Sequence, residues 1–102
     1  MANYNVSGLV TLAKLAKSKE STWCVYILKC SDNTYYTGIT NNIKRRIHEH
    51  ETNKGAKYTK GRTPFSLVYQ DKCKDRREAS QKEYAIKKLT LVEKINLIAT
   101  YK

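Results

Sequence analysis

The most restrictive feature of the sequence is a pair of β-prone runs joined by a short polar turn. Apart from Lys29, the residues from Trp23 to Cys30 are apolar, aromatic or β-branched, and a second run rich in aromatic and β-branched residues extends from Tyr35 to Thr40. Residues 31–34, between the two runs, have turn-forming side chains. These residues predict an antiparallel hairpin.

A helix and a third strand are predicted after the hairpin. Asn41 or Asn42 can cap the helix. Its inward stripe, at positions i, i+3, i+4 and i+7, consists of Ile43, Arg46, Ile47 and His50, whereas His48 faces outward. Phe65 to Gln70 then predict the third strand.

Two further helices complete the predicted fold. Asp75 with Glu78 has the spacing of a capping box and opens a helix that runs to about Leu89. Thr90 with Glu93 repeats this spacing and opens a third helix, whose apolar positions are Val92, Ile95 and Leu97 or Ile98. The order ββαβαα predicts an α+β fold in which helices flank a three-stranded antiparallel sheet.

Residues 1–22 differ in character from the rest of the chain, and we expect them to form an N-terminal helical extension and a linker. A helical stripe with Ser7 as its cap comprises Val6, Leu9, Leu12, Ala13 and Ala16. Residues 17–22 are polar, so the domain is expected to span residues 23–102. The extension either packs on the domain or binds a partner, and it does not resemble a secretion signal.

The net charge indicates a polyanionic partner. The chain has 102 residues and a formal net charge of +11, from 20 Lys and Arg against 9 Asp and Glu. Self-repulsion on this scale strains a compact fold, so nucleic acid is the favoured partner. An anionic membrane surface and a merely solubilising charge are the alternatives. No apolar run reaches the roughly 18 residues needed to span a bilayer.

The cysteines are expected to be unpaired. Cys24 and Cys30 fall on one predicted strand and are separated by roughly 20 Å, which is too far for a disulfide. The third is Cys73, and no cysteine or histidine spacing suggests zinc. Free thiols are typical of a reducing cytoplasm.

Two charged residues fall on inward helical positions. Arg46 lies between Ile43 and Ile47, and it could extend its charge to solvent from the edge of the stripe. Glu83 aligns with Ala79 and Ile86, where an unpaired carboxylate would cost several kcal/mol. Glu83 could form a salt bridge with Arg46, or it could bind a metal beside a phosphate-binding arginine.

A pair of triplets then suggests a family. Cys24-Val25-Tyr26, followed after nine residues by Tyr36-Thr37-Gly38, resembles the paired signature of the GIY-YIG nucleases. The first triplet departs from the signature at its first two positions and retains the tyrosine. The basic loop at residues 55–59 and the run at residues 83–89 are similar to those of the small stand-alone bacterial members.

The resemblance implies a metal-dependent DNA endonuclease that hydrolyses phosphodiester bonds, with a role in DNA repair or recombination. It implies that the catalytic residues are Tyr26, Tyr36, Arg46, His50 and Glu83. Glu83 would hold one Mg²⁺ or Mn²⁺, and Arg46 would clamp the phosphate oxygens. Tyr26 would be the general base, although a phenol with an ordinary pKa of ~10 must be tuned for that role.

The loop from Asn53 to Pro64 is a candidate nucleic-acid-binding segment. Positive charge suited to binding a nucleic-acid backbone comes from Lys57, Lys60 and Arg62. Tyr58 supplies an aromatic ring that could stack on a base. An ordinary solvated loop is the alternative. The protein as a whole could also be a catalytically idle DNA- or RNA-binding module of the same fold, or an RNA-directed protein whose N-terminal segment recruits partners.

A shared site for Tyr26 and Tyr36 sets a condition on the hairpin. A regular four-residue loop would place the two phenols on opposite faces of the sheet, because side chains alternate along a strand. A three-residue loop would place both on one face, with Leu28 opposite Gly38. We therefore expect a loop with an odd number of residues or a bulge.

Overall fold

The computed structural model describes residues 22–101, except for the side chain of Tyr58. The helix predicted within residues 1–21 lies outside the described residues. Thr22, the first described residue, is exposed and has no regular secondary structure.

Three antiparallel strands form one sheet in the order β2-β1-β3. They are β1 (Cys24–Lys29), β2 (Tyr35–Thr40) and β3 (Ser66–Lys72). The three predicted strands are confirmed, with differences at their ends. β1 is shorter by one residue at each end, and β3 continues past Gln70 because Asp71 and Lys72 still pair with the start of β1.

The loop of the hairpin has five residues, so the prediction of an odd loop is confirmed. Tyr26 pairs with Gly38, and Leu28 pairs with Tyr36. Relative to a three-residue loop, the register shifts by two residues, which leaves every side chain on the same face. The longer loop is closed by a hydrogen bond from the Cys30 amide to the Thr34 carbonyl, and Asn33 adopts a positive φ of 65°.

Within residues 22–101, three α-helices flank the sheet: α1 (Ile43–Glu51), α2 (Arg76–Lys87) and α3 (Leu91–Ala99). The predicted caps are present, because the side chains of Asn42, Asp75 and Thr90 accept hydrogen bonds from the first turns of their helices. Thr90 and Glu93 form a complete capping box. α2 ends at Lys87 rather than at about Leu89. None of the helices in residues 22–101 has the length and apolarity required to cross a bilayer.

The two faces of the sheet are different in character. One face is apolar: Val25 and Ile27 pack with Ala79 and Ile86 of α2. Both Leu97 and Ile98 of α3 join this core, which resolves the choice left open by the sequence. Side chains on the opposite face point toward α1 and include the tyrosines of both triplets. The three cysteines are free and buried.

We predict that the central strand dominates the stability of the domain. Ile27 is fully buried, and replacing it by Ala should lower the free energy of unfolding by about 2–5 kcal/mol. Ile39 lies on the same face but on the edge strand and is only partly buried, so Ile39→Ala should cause a clearly smaller loss. Urea denaturation of both variants measures the two losses. Equal losses would contradict this assignment of the core.

Candidate active site

Tyr26 and Tyr36 lie side by side on the face of the sheet that packs toward α1. Their ring centroids are 6.2 Å apart. Gly38, opposite Tyr26, makes this arrangement possible. A Cβ atom at that position would lie 2.7 Å from the Tyr26 hydroxyl oxygen and 2.9 Å from the Tyr36 ring, so any larger residue would displace the phenols.

His50 connects this pair of tyrosines to helix α1 and the loop that follows. Its side chain is fully buried. The Tyr26 hydroxyl lies 2.9 Å from Nε2 of His50, and the Thr59 hydroxyl lies 2.8 Å from Nδ1. Thr59 in turn donates its hydroxyl proton to the Ala56 carbonyl at 2.8 Å. A continuous chain of hydrogen bonds therefore runs from the sheet into the loop.

The hydrogen bonds determine the tautomer of His50. The single hydroxyl proton of Thr59 is directed to Ala56, so Thr59 accepts a proton from Nδ1–H of His50. Nε2 is then unprotonated and accepts the hydroxyl proton of Tyr26. Burial, together with the positive charge of Arg46, lowers the pKa of His50 to about 4. The imidazole is therefore neutral near pH 7.

Arg46 lies one turn before His50 on α1, and its guanidinium interacts with the phenols of both Tyr26 and Tyr36. It also donates to Oε1 of Glu49 at 2.9 Å. Burial works against its charge, but the hydrogen bonds to Glu49 and Tyr26 outweigh burial and raise its pKa further. The side chain is 29% exposed, so a fixed positive charge faces solvent beside the two phenols.

Tyr26 is a neutral phenol in this environment. Burial raises its pKa well above the ordinary value, and the hydrogen bond from Arg46 only partly opposes that shift. Phenolate at rest is therefore disfavoured. Any proton that Tyr26 gives up has a direct acceptor in Nε2 of His50.

Glu83 lies at the border of the buried face of α2, with its side chain 24% exposed. Its Oε2 atom is 3.2 Å from Nζ of Lys87, one turn further along the helix. The salt bridge to Arg46 that the sequence allows is not formed, because Arg46 pairs with Glu49. Glu83 is paired within its own helix, whereas Arg46 contacts Glu49 on its own helix and the two phenols on the sheet.

The predicted nucleic-acid-binding residues lie in and after a short 3-10 turn, Lys57–Thr59. Lys57 and Lys60 are exposed. Arg62 is only partly exposed and forms an ion pair with Asp32 in the hairpin loop. The side chain of Tyr58 falls outside the described part of the structure. The turn therefore presents two exposed cationic groups, Lys57 and Lys60, next to Thr59, the residue that holds His50.

Three contacts to His50 were not predicted from the sequence. Thr59 positions Nδ1, and the Phe65 ring packs against the imidazole with a centroid separation of 6.0 Å. Gly55 approaches so closely that a Cβ atom there would lie 2.4 Å from Nδ1. A glycine and a threonine in a basic loop give no periodic signal, although a glycine four residues from a threonine does suggest a tight local turn.

Comparison with known proteins agrees with this geometry. A family model described as the GIY-YIG catalytic domain matches residues 22–96. The chain belongs to the GIY-YIG family. The paired tyrosines, α1 and α2 all lie within the matched range, so the family resemblance of the two triplets is confirmed.

Similar GIY-YIG chains include small bacterial proteins named UPF0213. A UPF0213 protein of Desulfotalea psychrophila is 56% identical over 77 residues, covering 74% of this chain and 70% of the relative. One from Oceanobacillus iheyensis is 54% identical over 74 residues, covering 72% and 86%. The solution NMR structure of a UPF0213 protein from Bacillus halodurans is 44% identical, covers 76% of this chain and 83% of that one, and has a TM-score of 0.51.

The donor atoms available for a metal ion are few. Within residues 22–101 no cluster of three or more His, Cys, Asp or Glu side chains could enclose an ion. Glu83 offers one partly exposed carboxylate. A single carboxylate fits Mg²⁺, which commonly keeps several waters and shares its remaining positions with substrate phosphates.

We predict that His50 makes the stability of the domain depend on pH. Its pKa is about 4 when folded and about 6.5 when unfolded, so the unfolded chain binds more protons between these values. Stability from this group is therefore complete above pH 6.5 and is lost as the pH falls toward 4. Between pH 7 and pH 5 the free energy of unfolding should fall by about 2 kcal/mol.

Urea denaturation at the two pH values tests this prediction, with a matched histidine as the control. His50→Gln should flatten the pH dependence whatever its effect on stability at pH 7. His48 is exposed on the same helix, so His48→Gln should keep the wild-type dependence. Asp32 and Glu49 have lowered pKa values and titrate below this range. An unchanged pH dependence in His50→Gln would contradict the assignment.

Proposed function

We propose that this protein is a metal-dependent endonuclease that hydrolyses phosphodiester bonds in DNA. The observation that carries the proposal is the hydrogen-bonded pair of Tyr26 and His50 beside the guanidinium of Arg46. This arrangement combines a route for a proton with a fixed positive charge, which are the two requirements for attack by water on a phosphodiester. Both phenols, the imidazole and the guanidinium lie on one face of the sheet.

Tyr26 acts as a proton relay in this proposal. Its hydroxyl oxygen accepts a proton from the attacking water while its own proton passes to Nε2 of His50. The relay avoids a free phenolate, which burial disfavours. Thr59 keeps Nδ1 protonated and therefore keeps Nε2 available as the acceptor.

Arg46 has two effects on the reaction. Its guanidinium binds the non-bridging oxygens of the phosphate, where negative charge develops as the water attacks. In the free protein its charge lowers the pKa of His50. A bound phosphate neutralises part of that charge, so substrate binding itself raises the basicity of His50.

Glu83 is the residue that would hold Mg²⁺ or Mn²⁺. A bound ion would polarise the phosphate and stabilise the departing oxygen. Glu83 must leave its ion pair with Lys87 in order to coordinate fully, and such exposed pairs are worth only about 0.5 kcal/mol. Tyr36, which packs against His50 with ring centroids 5.1 Å apart, orients the phosphate and the water.

The charge of the protein supports a nucleic-acid substrate, whereas DNA repair or recombination as its setting is carried over from the family resemblance. A net charge of +11 favours the polyanionic backbone, and Lys57 and Lys60 are exposed for backbone contact. The three buried free thiols are compatible with work in the reducing cytoplasm.

We predict that removing either Glu83 or Arg46 stops cleavage without unfolding the domain. Glu83→Gln keeps the size of the side chain and removes the charge that holds the metal, so cleavage should fall by orders of magnitude. Arg46→Ala should reduce the cleavage rate by about 10²-fold or more. Arg45→Ala is the matched control, because Arg45 is 64% exposed on the same helix.

Cleavage is measured on branched, nicked, single-stranded and duplex DNA, with Mg²⁺ or Mn²⁺ compared with EDTA. Thermal melts of each variant show that the fold is intact. A Glu83→Gln variant that cuts at the wild-type rate would remove Glu83 from the site. Binding without cleavage of any substrate by the wild-type protein would indicate an idle binding module, and preferential cutting of matched RNA substrates would reassign the substrate class.

We also predict that the basic turn binds the DNA backbone. Replacing Lys57 and Lys60 together by Ala should reduce the slope of log K against log salt by up to about 2, since each phosphate contact on duplex contributes about 0.9. Lys72 and Lys74, exposed at the other end of β3, provide a control that removes the same charge. Equal slopes for the two double variants would show that only net charge matters.

A further inference from the structure

A cleft extends the candidate active site around the free edge of β2. Its volume is about 380 Å³, and it is lined by Tyr35, Tyr36, Thr37, Lys87 and Lys94. Tyr36 contacts His50 on one side of the sheet, whereas Lys87 and Lys94 come from α2 and α3 on the other side. The cleft therefore connects Tyr36 of the candidate active site to the surface formed by Lys87 and Lys94.

Lysines supply all of the formal charge in the lining of this cleft. Lys94 forms no ion pair with any residue in the part of the chain that the structure describes. Lys87 is 55% exposed, and its one ion pair among residues 22–101 is with Glu83, a contact within one helix that solvent screens strongly. Two ammonium groups beside a phenol and a threonine hydroxyl are suited to a phosphate group.

We infer that Lys87 and Lys94 bind a backbone phosphate next to the one that is cut. This inference rests on the proposed nuclease function. The strand would pass from the phenols on one face, around the edge of β2, to the lysines on the other. One phosphate would be bound by Arg46 on one side of the β2 edge and the next by the lysines on the other side. Together these two contacts fix the direction in which the nucleic-acid strand crosses Tyr36, which Arg46 alone cannot do.

Lys87 also couples this subsite to Glu83. In the free protein the ammonium group of Lys87 neutralises the carboxylate that would hold the metal. When Lys87 turns to a backbone phosphate, Glu83 is left with a full negative charge and greater affinity for a cation. Nucleic acid and metal should therefore each strengthen the binding of the other, because such linkage is reciprocal.

The test uses the full chain and a nicked DNA duplex, with binding followed by fluorescence anisotropy in EDTA over a range of salt concentrations. Lys87→Met and Lys94→Met should each reduce the slope of log K against log salt by about 0.9. Lys88→Met is the matched control, because Lys88 is the next residue after Lys87 and lies over the Tyr84 ring instead of lining the cleft. Its slope should equal that of the wild type.

A second measurement follows Mn²⁺ binding to the free protein. Lys87→Met should bind Mn²⁺ about twofold more tightly than the wild type, because a weak competing ion pair is gone. Lys94→Met should leave Mn²⁺ binding unchanged. Adding the nicked duplex should tighten Mn²⁺ binding in both proteins. The gain in the wild type should exceed the gain in Lys87→Met by about twofold.

The outcomes separate this inference from the nuclease proposal. A reduced slope in only one cleft lysine variant, or an equal reduction in Lys88→Met, overturns the phosphate subsite even if Glu83→Gln abolishes cleavage. An unchanged Mn²⁺ affinity in Lys87→Met overturns the coupling. A Glu83→Gln variant that still cuts overturns the metal role of Glu83. The phosphate subsite is then judged by the salt dependence of binding alone, which is measured in EDTA and does not involve a metal. Failure of the wild-type protein to bind the nicked duplex overturns the phosphate subsite, whereas the nuclease proposal is decided by the cleavage assay on all four DNA substrates.

Discussion

The hydrogen bond between the Tyr26 hydroxyl and Nε2 of His50 is the interaction on which the rest of the site depends. It joins the central strand to α1, and both side chains are buried in the free protein, where leaving either group without a partner would be costly. Its direction is determined outside the pair, by Thr59 and the Ala56 carbonyl. The loop after α1 thus sets the protonation pattern at the centre of the sheet.

The two faces of the sheet have different roles: one forms the hydrophobic core and the other carries the candidate site. The apolar face packs against α2 and α3 and forms the hydrophobic cluster of the domain. The opposite face combines aromatic rings with polar groups, which bury area and still offer hydrogen bonds. Gly38 keeps the pairing of β1 with β2 opposite Tyr26. Because it has no side chain, it also leaves space for the rings of Tyr26 and Tyr36.

Local patterns were sufficient to predict the strands, the helix caps and the face of α1 that carries Arg46 and His50. The odd length of the hairpin loop also followed, because the two tyrosines had to share a face. The exact length of five residues did not follow from the sequence. It depends on the hydrogen bond from the Cys30 amide to the Thr34 carbonyl and on the left-handed conformation of Asn33. The sequence left open a salt bridge between Arg46 and Glu83. In the folded domain Arg46 pairs with Glu49 and Glu83 pairs with Lys87. The sequence alone could not choose among these oppositely charged partners, because the choice depends on the folded geometry.

The close approach of Gly55 to His50 has a mechanical consequence. With no room for even a methyl group between the loop backbone and the imidazole, the loop cannot shift inward, and an outward movement would remove Thr59 from Nδ1. The same loop carries the exposed ammonium groups of Lys57 and Lys60. Under the proposed function, a nucleic-acid strand bound to those groups would lie on the same loop that holds Nδ1 of His50 through Thr59. A displacement of the loop would then change which nitrogen of the buried imidazole carries the proton.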